Sequence, residues 1–410
     1  MKHAKPQEAP KGVQGADVGV INHVKFTRLL LCFLILSGNF LVQTASAATL
    51  PEERADVLFH SYDGGGIEIT GPSVLVRKNI KEKVSVYGNY YVDQITSASI
   101  DVITSGASEY EEERTEYSVG AEYLYDKSTI SLSTTQSSEN DYEASTVSFD
   151  LSQEFFGDMT TFSLGFSQGE DIVRKTGDPE FERDATHRRY RVSLNQILSP
   201  KWMMGISLEA VSDAGFLNNP YRSIRHFNGD GSNAVMKPER YPETRNSDAA
   251  AVRTIYRLPY RASIRGEVRT FSDNWGIKAS NAELRYLHAY ENDWTFQANI
   301  RTYSQTQADF YSDIFSYNDS EQEFVARDKE MSEFDSMTFG LGVYYDVPKK
   351  WLSFIDKTTI SFQFDHMQFD YKNFRDASQS MGDSAEFRPG EEPLYELKAN
   401  VIRFYVSVYY

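Results

Sequence analysis

The chain ends on an alternating strand that finishes at an aromatic residue. Its last ten residues read Val-Ile-Arg-Phe-Tyr-Val-Ser-Val-Tyr-Tyr, in which Phe404, Val406, Val408 and Tyr410 stand two apart. Successive side chains of a strand point to opposite faces, so these four share one face. An apolar strand left at a sheet edge invites aggregation, whereas the same strand can close the sheet of a transmembrane β-barrel. We therefore predict that this C-terminal strand closes a barrel.

The same alternation runs through the rest of the chain. Fifteen alternating segments of about ten residues can be traced between residues 67 and 410, separated by polar joins. A sixteenth at 55–62, turning at Gly64-Gly65-Gly66, makes the number even; without that hairpin the wall has fourteen strands. Lipid requires that every backbone polar group be paired, which a closed barrel achieves. The predicted fold class is all-β, an antiparallel transmembrane β-barrel of about 16 strands.

The joins between these strands alternate in length. Short joins such as Lys81-Glu82-Lys83 and Ser199-Pro200-Lys201 alternate with long polar ones. In bacterial barrels short turns face the periplasm and long loops face outward. We therefore predict short periplasmic turns and long acidic outer loops in a single barrel domain, residues 48–410. The predicted long loops are 96–114, 169–186, 213–248, 305–334 and 370–395.

The N-terminal region has the pattern of an export signal. Lys25 and Arg28 precede the apolar run 29–42, and Ala45-Ser46-Ala47 follows it. A basic segment, an apolar segment and an A-x-A site define a secretory signal peptide. The alternative is a transmembrane helix, but that needs roughly 20 apolar residues. We predict a signal peptide with a polar N-terminal extension over residues 1–47, cleaved at the site formed by Ala45 and Ala47.

Charge and cysteine content exclude several classes of function. The chain has a formal net charge of −17, which becomes −20 after the predicted cleavage removes five of 42 Lys and Arg and two of 59 Asp and Glu. Such an acidic chain is unsuited to binding nucleic acid. The single cysteine, Cys32, lies in the predicted signal. The mature protein is therefore expected to have no disulfide, thiol nucleophile or thiolate metal site.

Alternation assigns charged residues to the predicted lumen. In segment 261–271, Val268 faces lipid while Arg261, Arg265 and Arg269 face inward beside Glu267. The predicted basic wall comprises Arg189, Arg191, Arg253, Arg257, Arg261, Arg265, Arg269, Arg285 and Arg301. The predicted acidic wall on the other arc comprises Asp93, Glu116, Glu122, Asp150, Glu154 and Asp365. Facing walls of opposite charge would favour small polar or zwitterionic solutes. Alternatively, these charges pair between neighbouring strands and fill the interior.

The first long loop is unusually apolar. Its segment 96–108 contains Ile100, Asp101, Val102 and Ile103 between acidic neighbours. An exposed loop gains little from isoleucine and valine, whereas a loop folded into the barrel mouth buries them. The segment is therefore a candidate constriction loop. The alternative is a β-rich extension of the strands above the membrane.

Catalytic and metal motifs are not evident in the sequence. The five histidines after residue 47 lie in no metal-ligand or nucleophile pattern. Segment 226–233 spaces oxygen ligands as a Ca²⁺ loop does, but it lacks the closing glutamate and its Asn-Gly and Asp-Gly pairs are ordinary turn formers. A Ser/His/acid site assembled across strands remains an alternative. We expect no catalytic residues, no metal site and no cofactor.

Several short motifs in the first third of the chain resemble a known family. They are Tyr62-Asp63-Gly64-Gly65-Gly66-Ile67, Gly71-Pro72, Tyr90-Tyr91-Val92-Asp93 and Ser97-Ala98-Ser99-Ile100-Asp101-Val102. From about His60 to Tyr410 the chain is similar to domain-of-unknown-function family 3570, predicted outer-membrane proteins of Gram-negative bacteria. The resemblance implies a barrel without an assigned activity. Members are often encoded beside a small lipoprotein, a thioredoxin-like protein and a flavin transferase, which implies a small lipoprotein partner in a redox-related system.

Together these features predict a protein of the Gram-negative outer membrane. Its expected partners are membrane lipid, the barrel assembly machinery and a small lipoprotein, with no nucleic acid. The function predicted first is a porin-like passage for small polar solutes along an arginine-lined wall, without enzymatic activity. The alternative is a plugged barrel that serves as scaffold or display partner for a small lipoprotein or peptide. An outer-membrane enzyme and a soluble secreted β-sandwich remain as further alternatives.

Overall fold

The computed structural model describes residues 49–97, 99–100, 104, 110–229, 234–349, 355–381 and 385–410. The predicted signal peptide, with Ala45 and Ala47, lies outside these residues. Within the described ranges, no helix is long and apolar enough to cross a membrane.

Sixteen of the eighteen strands in the described part of the chain form a closed antiparallel barrel. Each strand pairs with its neighbours in sequence, except that β9 pairs directly with β12. The remaining two strands, β10 and β11, form a separate hairpin within the β9–β12 loop. The strands are β1 Arg54–Gly64, β2 Ile67–Ile80, β3 Val84–Ser97, β4 Tyr110–Tyr125, β5 Ser128–Ser138, β6 Tyr142–Phe155, β7 Thr160–Lys175, β8 Asp178–Ser199, β9 Trp202–Gly215, β10 Ser223–Phe227, β11 Ala234–Pro238, β12 Thr244–Arg257, β13 Ala262–Asp273, β14 Lys278–Tyr290, β15 Trp294–Gln305, β16 Phe334–Val347, β17 Lys357–Arg375 and β18 Leu394–Tyr409.

The C-terminal strand closes the barrel. β18 pairs with β17 on one side and with β1 on the other, so that Phe404 lies opposite both Phe362 and Phe59. The first hairpin is therefore part of the wall, and the predicted barrel of 16 strands is confirmed.

The outer face of the wall is apolar. Exposed valine, leucine, phenylalanine and tyrosine side chains occur on almost every strand, at alternate positions. A soluble protein exposes few contiguous apolar patches, whereas a membrane barrel presents an apolar band to lipid. Examples of these outward-facing residues are Val57, Val119, Leu132, Val268, Leu341 and Phe404.

The two ends of the barrel differ. One end, here named the turn end, carries short joins such as 81–83, 126–127 and 200–201. The opposite loop end carries the long joins 98–109, 216–243, 306–333 and 376–393. Most predicted loops are recovered, but 169–186 was wrongly predicted as a loop. β7 and β8 continue their pairing through it and leave only Thr176 and Gly177 as the turn. The prediction missed these strand ends because charged residues such as Glu170, Asp171 and Arg174 interrupt the apolar alternation.

One glycine of the family motif is required by close packing. A Cβ atom built on Gly71 would lie 1.8 Å from the carbonyl oxygen of Val92 on the neighbouring strand. Pro72, the next residue, has no amide to donate, so it weakens the β2–β3 ladder at this point. Glycine there lets the two backbones approach, which explains the Gly71-Pro72 pair inside a wall strand.

The largest buried apolar cluster lies inside the barrel at the loop end. Its members come from the loop-end halves of wall strands and from three long loops. We name the described parts of 216–243, 306–333 and 376–393, together with Ile100, the loop plug. The loop-plug residues in this cluster are Ile100, Leu217, Tyr241, Ala308, Tyr311, Ala326 and Met331, which share it with Trp275, Phe334, Phe369, Phe374 and Leu397.

Candidate functional site

Packing inside the barrel changes along the axis of each strand. On β8 the lumen-facing residues, taken from the loop end, are Ala185, His187, Arg189 and Arg191. Ala185 is 5% exposed, the His187 side chain 22%, and the side chains of Arg189 and Arg191 40% each. On β12 the change is similar, from buried Ala251 to half-buried Arg253. The loop end is therefore filled, while the lumen-facing side chains in the turn-end half of β6–β9 and β12–β15 are mostly polar and include the exposed Arg189 and Arg191. We name this polar region of the lumen the vestibule.

Two glutamates organise one part of the vestibule wall. Glu267 accepts from Arg253 Nε at 2.7 Å and from Arg265 Nη2 at 3.4 Å. Glu283, which lies opposite Glu267 on β14, accepts from Arg285 Nη2 at 2.7 Å. These short contacts hold the planar guanidinium groups in fixed orientations.

A second part of the wall is organised by Glu209 and Asp150. Glu209 on β9 accepts from Arg269 Nη2 at 2.8 Å, and Arg189 Nε lies 3.9 Å from its other oxygen. Asp150 accepts from Arg191 Nη2 at 2.9 Å. The arginines of these pairs thus contact carboxylates on the same strand, on the neighbouring strand or on the strand after that.

The vestibule nevertheless has an excess of positive charge. We define the arginine belt as the seven arginines and four carboxylates that form this described stretch of wall, a formal balance of +3. This excess stands out in a chain of net charge −17. Its members are Arg189, Arg191, Arg253, Arg265, Arg269, Arg285, Arg301, Asp150, Glu209, Glu267 and Glu283.

Two arginines of the predicted basic wall lie elsewhere. Arg261 was predicted to line the lumen, and this is corrected. It lies in the β12–β13 turn with a positive φ of 58°, is exposed, and donates to the carbonyl oxygen of Glu291. β13 begins one residue later, at Ala262, because the turn takes four residues. Arg257 is exposed at the turn end of β12, at the rim of the vestibule.

The predicted acidic wall also contains basic side chains that the sequence analysis did not assign to it. Asp93 is buried, accepts from the Tyr91 hydroxyl at 2.7 Å, and lies 2.7 Å from His60 Nε2. Arg114 contacts both Asp93 and Glu116. The interpretation in which charges pair between neighbouring strands therefore describes this arc.

Two more of the predicted acidic residues are paired with arginines. Glu122 accepts from Arg77 Nη1 at 2.6 Å, and Asp365 accepts from Arg403. Glu154 shares the lumen face of β6 with Asp150 and is half-buried at the turn end. A purely acidic wall facing a basic one is thus corrected, because Arg77, Arg114 and Arg403 stand on the same arc.

The candidate constriction loop is described only in part. Ile100 is 5% exposed and packs in the loop-end cluster, so this residue points into the barrel mouth. Asp101, Val102 and Ile103 lie outside the described residues. The predicted Ca²⁺-like segment is likewise incomplete, since 230–233 fall outside them; its His226 belongs to β10.

Buried ion pairs in the loop plug were missed because their partners are far apart in sequence. Arg225 on β10 donates to Glu392 and to Asp313, and Arg327 Nη2 donates to Asp313 at 3.1 Å. All four residues are at most 9% exposed. Burial alone would raise the pKa of Glu392, but hydrogen bonds from Arg225 and Ser380 outweigh it, and the net pKa is lowered. We name Arg225, Asp313, Arg327 and Glu392 the latch.

An acidic trio at the loop end was also missed. Glu112, Glu139 and Asp141 are buried, and each offers a carboxylate oxygen within 4.8 Å of the others. Arg114 Nε lies 3.8 Å from Glu139. Burial raises the pKa of Asp141, against the hydrogen bond it accepts from the Tyr221 hydroxyl. Because residues 96–114 were predicted to be a loop, the alternation pattern did not assign Glu112 to a face of a strand.

A family model with the description protein of unknown function (DUF3570) matches residues 44–190 and 180–373. These stretches cover well over half of the chain. The chain belongs to this family. The predicted resemblance is confirmed, and the DUF3570 description assigns no activity.

Curated relatives match this DUF3570 protein over a short stretch. The vitamin B12 transporter BtuB of Vibrio cholerae is 30% identical over 87 residues. The match covers 21% of this chain and 12% of the transporter. The chain therefore spans about an eighth of the length of the curated relatives it matches.

Solved structures similar to this DUF3570 protein are barrels with very different sequences. A bacterial polysaccharide outer membrane secretin has a TM-score of 0.48 at 7% identity, covering 88% of this chain and 100% of the other. A Pseudomonas aeruginosa FadL homologue has 0.41 at 8%, covering 88% and 90%. The CymD monoaromatic hydrocarbon channel has 0.41 at 8%, covering 97% and 95%. These likenesses concern the fold alone.

Proposed function

We propose that this DUF3570 protein is an outer-membrane channel for small polar solutes whose outer mouth is closed by its own loops. The observation that carries the proposal is the exposure of one part of the arginine belt, because the side chains of Arg189 and Arg191 on the lumen face of β8 are 40% exposed while the loop plug is buried. A barrel that only displayed its loops would need no charged, hydrated cavity. A channel requires a polar path of this kind. No step of the proposal needs a cofactor or catalysis.

Opening would occur at the loop plug. In the orientation usual for bacterial barrels, the vestibule opens to the periplasm and the plug faces outward. The plug is made of loops rather than wall strands, so it can withdraw without breaking strand pairing. The latch joins β10, the β15–β16 loop and the β17–β18 loop, and loosening it would release these three segments together.

Conductance in a planar bilayer tests the proposal. Wild-type protein refolded from the full mature chain should open rarely, and Arg225→Ala should open far more often, because it removes the latch cation that joins Glu392 to Asp313. Lys237→Ala is the matched control, since it removes a more exposed 2.8 Å ion pair with Glu321 in the same loop region. Heat-dependent gel mobility establishes that each barrel is folded. Silence from folded wild-type and Arg225→Ala proteins alike would overturn the channel proposal.

A scaffold is the second candidate function. A vestibule that is polar at one end and closed at the other is also a dead-end pocket, which suits a docked peptide or small lipoprotein. A photo-crosslinking residue in place of Ser193, on the lumen face of β8, tests this in living cells. A single lipoprotein adduct identified by mass spectrometry favours the scaffold. Conductance without any adduct favours the channel.

A further inference from the structure

Two arginines of the vestibule face each other on neighbouring strands. Arg265 on β13 is directly opposite Arg285 on β14. Like charges placed opposite each other in a ladder are destabilising unless other charges compensate. The next row toward the loop end supplies compensation, because it pairs Glu267 with Glu283. Each glutamate contacts the arginine two residues away on its own strand.

The negative charge beside Arg265 and Arg285 does not fully compensate the positive charge around them. Arg253 lies opposite Glu267, and Arg301 lies opposite Glu283. Two carboxylates are therefore shared among four guanidinium groups, which leaves a local formal charge of +2. The interaction of these charges is strong, because Glu267, Arg265 and Arg285 are only 9–12% exposed and poorly screened by water.

The order of the rows gives the patch a direction. β13 runs from the turn end to the loop end, so the row of Arg265 and Arg285 lies nearer the turn end than the row of Glu267 and Glu283. A solute that enters from the turn end meets Arg265 and Arg285 first. Asn299 continues the arginine row on β15, and beyond Gly340 on β16 the row ends at Asp365 on β17, whose carboxylate accepts from the Asn299 amide at 3.4 Å.

We propose that Arg265 and Arg285 together bind small multivalent oxyanions. Guanidinium groups bind the paired oxygens of carboxylate and phosphate with two parallel hydrogen bonds. Phosphate-bearing and carboxylate-bearing solutes share this chemistry. The inference rests on the proposed function, because it names the class of solute that the channel takes.

Calorimetry on the folded, full-length mature protein in detergent tests the site with inorganic phosphate and with citrate, at low ionic strength. At least one probe should bind the wild type, and Arg285→Gln should weaken it about tenfold through loss of a charge-assisted contact. Arg257→Gln, at the exposed rim, is the matched control and should retain binding. The probe that binds more tightly shows whether the site prefers phosphate or carboxylate groups. Absence of binding by both probes, or equal weakening in the control, overturns the inference.

A measurement on the unmutated protein covers the case in which Arg285→Gln does not fold. Phenylglyoxal labels accessible arginines, and bound anion should slow labelling of Arg265 and Arg285 but leave Arg257 unaffected. Uniform labelling with and without anion would count against the site. Calorimetry and phenylglyoxal labelling do not depend on conductance. A folded barrel that binds anion but does not conduct would reject the channel proposal and keep the anion site. A barrel that conducts but does not bind anion would reject the anion site and keep the channel proposal.

Discussion

Arg225 and Glu392 are 167 residues apart in sequence and form a bidentate ion pair inside the loop plug. The second of its two hydrogen bonds, from Nη2 to Oε2, measures 3.2 Å. Asp313 accepts from the same Nη2, and its backbone carbonyl accepts from Arg225 Nε at 3.0 Å. One buried guanidinium therefore joins three loop segments, which makes the plug a single unit rather than three independent loops.

Removal of this guanidinium should loosen the whole plug. Arg225→Met leaves the carboxylates of Glu392 and Asp313 buried with less cationic compensation, which costs about 3–5 kcal/mol. Hydrogen exchange followed by mass spectrometry should show faster exchange across 306–333 and 376–393 and unchanged exchange in the wall strands. Lys237→Met, which removes an exposed pair, should cost less than about 1 kcal/mol. Faster exchange confined to β10 would contradict the single-unit plug.

The latch should depend on pH only under acidic conditions. The pKa of Glu392 is lowered in the folded state, so its stabilising effect is present above the unfolded pKa and is lost as pH falls through the folded pKa. The unfolded value is about 4.3. The open probability of the channel should therefore stay level from neutral pH to about pH 4.3 and rise below it. Glu392→Gln should lack this rise. A rise between pH 7 and 5 would show that another group controls the latch.

Asp141 should change the stability of the fold with pH in the direction opposite to Glu392. Burial raises its pKa, so the protonated form stabilises the fold, and that contribution is lost as pH rises through the folded pKa. Asp141→Asn keeps the shape and an acceptor for Tyr221, and it should raise the denaturant midpoint at pH 7. The gain should shrink as pH falls toward about 3.9, the unfolded pKa. A loss of stability at pH 7 would mean that the ionised carboxylate is needed, as it would be if a cation bound with Glu112 and Glu139.

The sequence predicts the wall well and the plug poorly, for a physical reason. Alternation is a local property, so Val268 and Arg269 reveal their faces from their immediate neighbours. The pairing of Arg225 with Glu392 depends on how loops fold inside the closed barrel, which no short segment encodes. Arg403 illustrates an intermediate case. It precedes Phe404 on the predicted closing strand, so the same alternation places it in the lumen, but its pairing with Asp365 becomes visible only with the β17–β18 register.

Ile100 should contribute strongly to closure of the barrel mouth. Its side chain is 5% exposed and packs in the loop-end cluster. Ile100→Ala should lower the free energy of unfolding by about 2–5 kcal/mol, because it removes buried methyl groups and leaves a cavity. Ile206→Ala on the lipid face is the matched control and should cost much less in a bilayer, since lipid can fill the space. Equal losses in the two variants would indicate that Ile100 is not anchored.

The charge of the arginine belt should set the ion selectivity of the open channel. The test replaces both Arg189 and Arg191 by glutamate in an Arg225→Met background. The belt then changes from seven arginines and four carboxylates to five arginines and six carboxylates, and its formal charge changes from +3 to −1. The reversal potential in a salt gradient should then shift from anion toward cation preference. Arg188→Glu changes the outward-facing neighbour on the same strand and should leave the reversal potential unchanged. Identical reversal potentials in all three channels would show that ions do not pass along this wall.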